Sequence, residues 1–209
     1  MKKGLTRMNK KGLLLVVSGP SGVGKGTVCN EYVKNHPDCA LSVSATTRKP
    51  REGEKDGVNY FFLSEEEFRK KIDNGGFLEH AVFCGNYYGT PKDTVMQMID
   101  DGKDVILEIE VQGAMQVRAH YPEGVFIFVL PPSIEVLEER LRGRNTETDD
   151  VIKERLERAK AEFKFIEKYN YVLVNDTVEN AAKTLGDIIN AERCSMTRNY
   201  KELKSEYID

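Results

Sequence analysis

LLLVVSGPSGVGKGT, residues 13–27, decides how the rest of this chain is read. Five apolar residues (Leu13, Leu14, Leu15, Val16, Val17) have the composition of a buried strand. They run straight into a glycine-rich loop, and TVCNEYVKN (residues 27–35) then suits a helix. A strand, a glycine loop and a helix in that order form the setting in which G-x-x-x-x-G-K-[ST] holds a phosphate chain. Gly19, Gly24 and Lys25 fall in place, but Gly26 stands at the hydroxyl position and Thr27 comes one step late. Glycines let the loop curl so that consecutive backbone N–H groups converge on phosphate oxygens. The helix N-terminus adds its dipole, and Lys25 reaches the β and γ phosphates as a mobile point charge. The alternative is a glycine turn followed by a surface lysine. Gly26 removes the side-chain oxygen that commonly holds Mg²⁺. Thr27 then acts indirectly, or the phosphates and waters hold the ion; no direct metal ligand is assigned.

The chain outside this loop is ordinary. Its 209 residues suffice for one domain with a sizeable core. The net charge of −3 advertises no basic field for nucleic acid. No stretch approaches the ~20 apolar residues of a membrane helix. The four cysteines (Cys29, Cys39, Cys84, Cys194) form no C-x-x-C pair, which argues against a zinc site or disulfide framework and for reduced thiols in the cytoplasm. MKKGLTRMNKKG reads as a basic mobile arm, with Met8 an alternative start.

Apolar, β-branched runs at residues 13–18, 105–109, 125–130 and 171–174 alternate with amphipathic stretches. That pattern predicts an α/β layered fold: a parallel sheet with helices on both faces. Ser133 precedes one helix, and Asp149-Asp150 precede a long charged helix running toward Tyr169. Between residues 45 and 90 the alternation breaks into small strands (60–63 and 77–83) around one helix that opens on a Ser64…Glu67 capping box. A second break, RGRNTET (residues 142–148), has the polar, basic character of a lid. The tail after Arg193 reads as a helix end.

Arg48 and Arg51 flank a proline-stiffened turn, and paired guanidinium forks suit the terminal oxygens of a monophosphate. A solvated basic loop is the plainer reading. Tyr60, Tyr87 and Tyr88 either donate hydroxyls to the same phosphate or pack.

GPSGVGKGT, SVSATTRKPREGE, FLEHAVFCGNYYGT, LEIEVQG, RGRNTET and VND follow one another in this chain from about residue 13 to residue 190. In that order they resemble the bacterial-type guanylate kinases of the nucleoside monophosphate kinase family. The resemblance implies a P-loop NTPase-type parallel sheet with helices on both faces, a small α+β GMP-binding insertion and a helical lid. The corresponding segments are 1–44 (core with loop), 45–90 (GMP-binding insertion), 91–139 (core), 140–158 (lid) and 159–209 (C-terminal core). It implies transfer of the ATP γ-phosphoryl group to GMP, with Mg²⁺ accompanying ATP. The partners are then ATP and GMP, with deoxy-GMP not distinguished and no nucleic acid or membrane; monomer and homo-oligomer stay open.

Residue roles follow from the same resemblance. Gly19, Pro20, Ser21, Gly22, Val23, Gly24, Lys25, Gly26 and Thr27 bind ATP, with Asn175 and Asp176 at its adenine. Glu79 reads guanine with Ser44 and Thr90 as hydroxyl partners, since a carboxylate accepts from guanine N1–H and N2–H₂ but meets a lone pair on adenine. Arg48, Arg51, Tyr60 and Tyr88 bind the GMP phosphate, and Glu54 braces the arginines or the base loop. Glu108 belongs with the GMP-binding residues. Family members often carry aspartates there, which leaves the duties of Glu108 and Glu110 open. Lys25, Arg144 and Arg155 are catalytic by charge neutralisation, and Arg140 is a further candidate. No general base is needed, because the GMP phosphate oxygen already carries charge. His36, His80 and His120 are structural or surface residues. Two other readings stand beside this one: a non-catalytic guanylate-kinase-like binding module, and a kinase for another monophosphate. Both the insertion and the 140–150 segment are expected to close on substrate.

Overall fold

The apolar run ahead of the loop becomes the central strand. In the computed structural model, which describes residues 11–143 and 148–208, β1 (Leu14–Ser18) is buried at every position. Residues 1–10, with the basic arm and Met8, lie outside the described residues. The loop leads into α1 (Lys25–Lys34) and a short β2 (Cys39–Leu41). Next come β3 (Ala45–Thr46), β4 (Phe61–Phe62), α2 (Glu65–Asp73), β5 (Phe77–Phe83) and β6 (Asn86–Pro91). The chain continues through α3 (Lys92–Asp100), β7 (Asp104–Glu108), α4 (Val111–His120), β8 (Val125–Leu130) and α5 (Ile134–Arg142). It finishes with α6 (Asp149–Phe163), β9 (Tyr171–Val174), α7 (Val178–Arg193) and α8 (Met196–Tyr207).

The main sheet has the order β2-β7-β1-β8-β9 and is parallel throughout. Alternate side chains of β1 leave opposite faces, as the strand repeat demands. Leu15 and Val17 join Val28 of α1 and Leu185 and Ile189 of α7 in one core layer. Leu14 and Val16 join Val95 and Ile99 of α3 and Ala114 and Val117 of α4 in the other. The inner strands β7, β1 and β8 are thereby covered on both faces, whereas the edge strand β9 leaves Val172 and Val174 exposed. Asp104, at the start of β7, is buried. Its carboxylate accepts from the Leu13 amide (2.8 Å) and from Arg193 (2.7 Å), tying β1, β7 and α7 together.

A second sheet, β4-β3-β6-β5, stands beside the first. Its strands β3–β6 and β5–β6 pair antiparallel, with Glu79 opposite Thr90 and Ala45 opposite Gly89. The Ser64/Glu67 capping box starts α2 as the sequence predicts.

Three strands escape the sequence pattern, and the expectations for α6 and the tail need correction. β2 is too short to stand out as an apolar run, and β3 is only two residues long. β6, with the glycine and proline of NYYGTP, is not among the strands predicted above, yet it is an inner strand of its sheet. Asp149 and Asp150 do not precede α6 but form its first turn, where carboxylates complement the helix dipole. That helix also stops at Phe163 and gives way to a 3₁₀ turn, Ile166–Lys168, short of Tyr169. The tail is no helix end. After a break at Cys194 and Ser195, α8 starts anew, with buried Asn199 donating to the carbonyls of Arg193 (3.0 Å) and Ser195 (2.8 Å). Among the described residues no helix is long and apolar enough to cross a membrane.

Candidate functional site

The loop between β1 and α1 can turn as it does only with glycine at three positions. Gly19, Gly22 and Gly24 have φ of 144°, 90° and 91°. A Cβ on Gly19 would come within 2.4 Å of the Val129 carbonyl oxygen, and one on Gly24 within 2.5 Å of the Asn175 amide nitrogen. Gly24 caps α1 without a side-chain hydrogen bond, since it has no side chain to offer. Val23 anchors the loop in the core. Lys25 folds back, donating to the carbonyls of Gly19 (2.6 Å) and Pro20 (3.1 Å). Burial pushes its ammonium below the ordinary lysine value, while Glu108, Glu110 and Glu162 pull it back up.

Beside the loop lies a cleft of about 370 Å³, lined by Ser21, Lys25, Gly26, Thr27, Glu108 and Glu110 among others. Gly26 acquires a physical meaning here. A Cβ at this position would meet the two Glu108 carboxylate oxygens at 3.0 and 3.1 Å. The end of β7 therefore delivers a carboxylate to the space that a loop hydroxyl would take. Burial pushes Glu108 above the usual carboxylate range, opposed by the Lys25 charge and the Gly26 amide. Glu108 thus sits against the phosphate loop. Thr27 is exposed at the cleft.

Asn175 and Arg140 hold the loop from behind. The buried Asn175 side chain donates to the Val23 carbonyl (2.7 Å). Arg140 reaches the carbonyls of Val23 (3.3 Å) and Asn175 (2.9 Å). Asp176 precedes the Thr177 cap of α7, accepting from the Thr177 amide (2.6 Å) and the Asn180 side chain (3.1 Å). From α6, Arg155 donates to the Ser21 hydroxyl (3.3 Å). Arg158, one turn further on, pairs with Glu110 and with Glu162 (3.2 Å). Arg144 lies outside the described residues.

The second sheet gathers a separate polar cluster. Glu79 is 9% exposed, and its Oε1 accepts from the Thr90 hydroxyl directly across the β5–β6 ladder at 2.7 Å. Burial raises its pKa above the carboxylate range, the Thr90 hydrogen bonds oppose that, and Glu110 adds a small upward push. Ser44 precedes β3, and its carbonyl accepts from the Phe61 amide (2.9 Å). Arg48 makes a two-pronged contact with Glu54 (NH1 to Oε2 3.0 Å, NH2 to Oε1 2.9 Å) over the rings of Tyr60 and Phe62. Glu54 also accepts from the Arg51 amide (2.7 Å), while the Arg51 side chain stays exposed. Tyr60 and Tyr88 meet edge to face. Tyr87 turns instead to Phe68 and Arg69 as a packing residue. His36 stacks on Tyr32, and His80 shares its backbone with Gln116.

The structure therefore assembles two polar centres. One holds Lys25, Gly26, Thr27, Glu108, Glu110 and Arg155. The other holds Arg48, Glu54, Tyr60, Tyr88, Glu79 and Thr90. Sequence reasoning passed over Arg158, Glu162, Gly113 and Gln116. Gly113 alone carried a signal, since a glycine inside a helix pattern marks close approach of a neighbour.

Comparison with known proteins identifies the family. The family model described as guanylate kinase matches residues 11–192. The chain is similar to the guanylate kinase of Clostridium acetobutylicum, 52% identical over 97% of this chain and 94% of that one. It is also similar to the guanylate kinase of Shouchella clausii, 55% identical over 93% and 96%. The crystal structure of guanylate kinase from Anaplasma phagocytophilum superposes with a TM-score of 0.73 at 35% identity, covering 95% of this chain and 96% of that one. With a family model matching residues 11–192 and relatives matched over nearly their whole length, this chain belongs to the guanylate kinase family.

Proposed function

We propose that this chain catalyses reversible transfer of the γ-phosphoryl group of ATP to GMP, giving ADP and GDP. The cleft at the loop takes the donor and the second sheet takes the acceptor. The observation that carries the acceptor assignment is Glu79: a buried carboxylate with one oxygen held by Thr90, on the same sheet as the Arg48–Tyr60–Tyr88 cluster. Ionised Glu79 accepts from guanine N1–H and N2–H₂, while Ser44 and Thr90 present hydroxyls to the base. A site built to hydrogen-bond its substrate rejects an analogue by ~10⁴ when its polar groups are left stranded. Arg48, Arg51, Tyr60 and Tyr88 hold the GMP phosphate, and Glu54 keeps the Arg48 fork oriented.

At the donor site the residues 19–27 cradle the triphosphate with backbone N–H groups. Donor phosphates replace the Gly19 and Pro20 carbonyls as partners of Lys25. Arg155, already at the loop, and Arg144 neutralise charge on the group in transit. The GMP phosphate oxygen attacks without a general base. Asn175 and Arg140 support the loop, with Asn175 near the adenine side.

Mg²⁺ accompanying ATP fits the residues at the cleft. Glu108 and Glu110 offer hard oxygen donors, and Glu108 stands where a loop hydroxyl oxygen would be. Among the described residues no three acidic, His or Cys side chains group into a metal cage. Glu108, Glu110 and Thr27 would hold it. When bound, Mg²⁺ neutralises phosphate charge.

The segments 1–44, 45–90, 91–139, 140–158 and 159–209 serve as core with loop, GMP-binding insertion, core, lid and C-terminal core. The enzyme works in the cytoplasm on ATP and GMP. A coupled assay with Mg·ATP and each of GMP, AMP and UMP tests the reading: GMP is consumed fastest by orders of magnitude. Equal rates with AMP or UMP would refute it.

A further inference from the structure

Two residues of α4, one turn apart, touch the strand that carries Glu79. Gly113 faces the carboxylate itself: a Cβ there would lie 2.8 Å from Glu79 Oε2 and 3.3 Å from Cδ. Gln116 clasps the next residue of the strand. Its side-chain amide donates to the His80 carbonyl (3.0 Å) and accepts from the His80 amide (3.1 Å). His80 thus pairs through its backbone with a side chain of the core, 36 positions away. We infer that Gly113 and Gln116 are positioning residues for guanine selection, setting the depth and direction of the Glu79 carboxylate from behind.

The physical case rests on how little freedom the carboxylate has. Thr90 fixes Oε1 from across the ladder, at 2.7 Å. The Gly113 notch limits how far Oε2 retreats toward α4. The double hydrogen bond from Gln116 fixes the backbone of the neighbouring residue, and so the direction in which the Glu79 side chain leaves β5. A carboxylate that must meet two guanine donors at once tolerates little displacement, because hydrogen bonds weaken steeply off their preferred geometry. The groups facing Glu79 are Thr90 on β6, Gly113 on α4 and the carboxylate of Glu110. Glycine within a helix is ordinarily a liability relative to alanine. Its place in the first turn of α4 is accounted for by the carboxylate lying against it.

This inference rests on the reading of Glu79 as the guanine reader, and the experiment separates the two. Gly113→Ala, Gln116→Leu and Glu79→Gln are compared with the unmodified chain for KM of GMP, KM of ATP and the ratio of kcat/KM for GMP over IMP. IMP lacks the 2-amino group, so a displaced Glu79 harms GMP more than IMP, whereas general loosening of the insertion harms both alike. Gly113→Ala is expected to raise KM for GMP about tenfold and to lower the GMP:IMP ratio, with KM for ATP within about twofold, since misplacing a group by a fraction of an ångström is felt at this scale. Gln116→Leu is expected to do the same, more weakly. Thermal melts are read beside the kinetics: the helix preference of alanine and the contact with Glu79 oppose one another, so a loss confined to GMP in a variant that still melts cooperatively near the parent marks positioning and not unfolding. If Glu79→Gln collapses GMP binding while both α4 variants keep the parental KM and GMP:IMP ratio, the inference is overturned and the site reading stands. If Glu79→Gln itself changes neither quantity, the site reading falls and this inference with it.

Discussion

Replacing Gly26 with serine would restore the commoner phosphate-loop motif, and the structure says that it should impair the enzyme. The new Cβ would stand 3.0 and 3.1 Å from the two Glu108 carboxylate oxygens and 3.4 Å from Cδ. To regain ordinary contact the carboxylate must retreat by about 0.3 Å, away from the Gly26 amide and Lys25 charge that favour its ionised form. Glu108 still meets water in the cleft, so weakening one such contact is worth about 1 kcal/mol, a roughly fivefold loss in kcat/KM for ATP. Glu108→Asp alone, one methylene shorter, loses a similar amount by failing to reach. In the double variant the shorter acid leaves room for the serine, so the losses should not multiply. A favourable coupling of about 1 kcal/mol is expected. Initial rates against ATP at saturating GMP give the four kcat/KM values of the cycle. Thermal melts guard against trivial unfolding: the helix preference of serine over glycine and the weakened Glu108 contact oppose one another, so the melting temperature should stay near that of the parent while the rate falls. A Gly26→Ser enzyme as efficient as the parent, or strict multiplication of the two single losses, would refute the claim that Glu108 occupies the hydroxyl's space.

Three further outcomes follow from other contacts. Burial raises the Glu79 pKa, and guanine needs its ionised form, so KM for GMP should climb as pH falls through that raised value while KM for ATP stays flat. The same raised value means that the group's stabilising contribution is complete below its unfolded-state pKa and is lost as pH rises through the folded one; Glu79→Gln should remove both dependences in paired kinetic and melting profiles. Glu54→Ala frees the Arg48 fork and should raise KM for GMP about tenfold with little change for ATP, and Arg48→Lys should be no milder, because an ammonium cannot make the two-pronged contact. Asp104→Asn breaks the tie between β1, β7 and α7, at a cost of about 2 kcal/mol after allowing for the partial exposure of Arg193. The melting temperature should fall by roughly 4–8 °C, with kcat per folded molecule unchanged, since Asp104 lies about 13 Å along β7 from Glu108.

Much of this molecule can be read from local pattern. Residues 13–17 declare a buried strand because five consecutive apolar side chains suit a sheet covered on both faces, and they become β1. The glycine spacing of the loop is legible because positive φ at Gly19, Gly22 and Gly24 is a local backbone requirement. Ser64 and Glu67 announce α2 for the same reason: a capping box lies within four residues. Residue type and spacing also pick out Lys25 and Arg48, whereas Glu79 and Glu54 are named only through the resemblance to guanylate kinases.

What the residues do to one another was decided only by tertiary structure. β2, β3 and β6 are strands because neighbours hold them, and their own sequences are too short or too rich in turn residues to say so. The sequence could flag Gly26 as odd but not explain it, because its counterpart, Glu108, arrives on β7 after 81 intervening residues and meets the loop only through the parallel pairing of β1 with β7. Likewise nothing near Glu79 names Gly113 or Gln116; the packing of α4 against β5 brings them there. Local chemistry chose the parts, since backbone preference and burial act over a few residues. The register of the strands and the docking of helices chose which parts meet, because contacts between distant segments exist only once the whole sheet is formed.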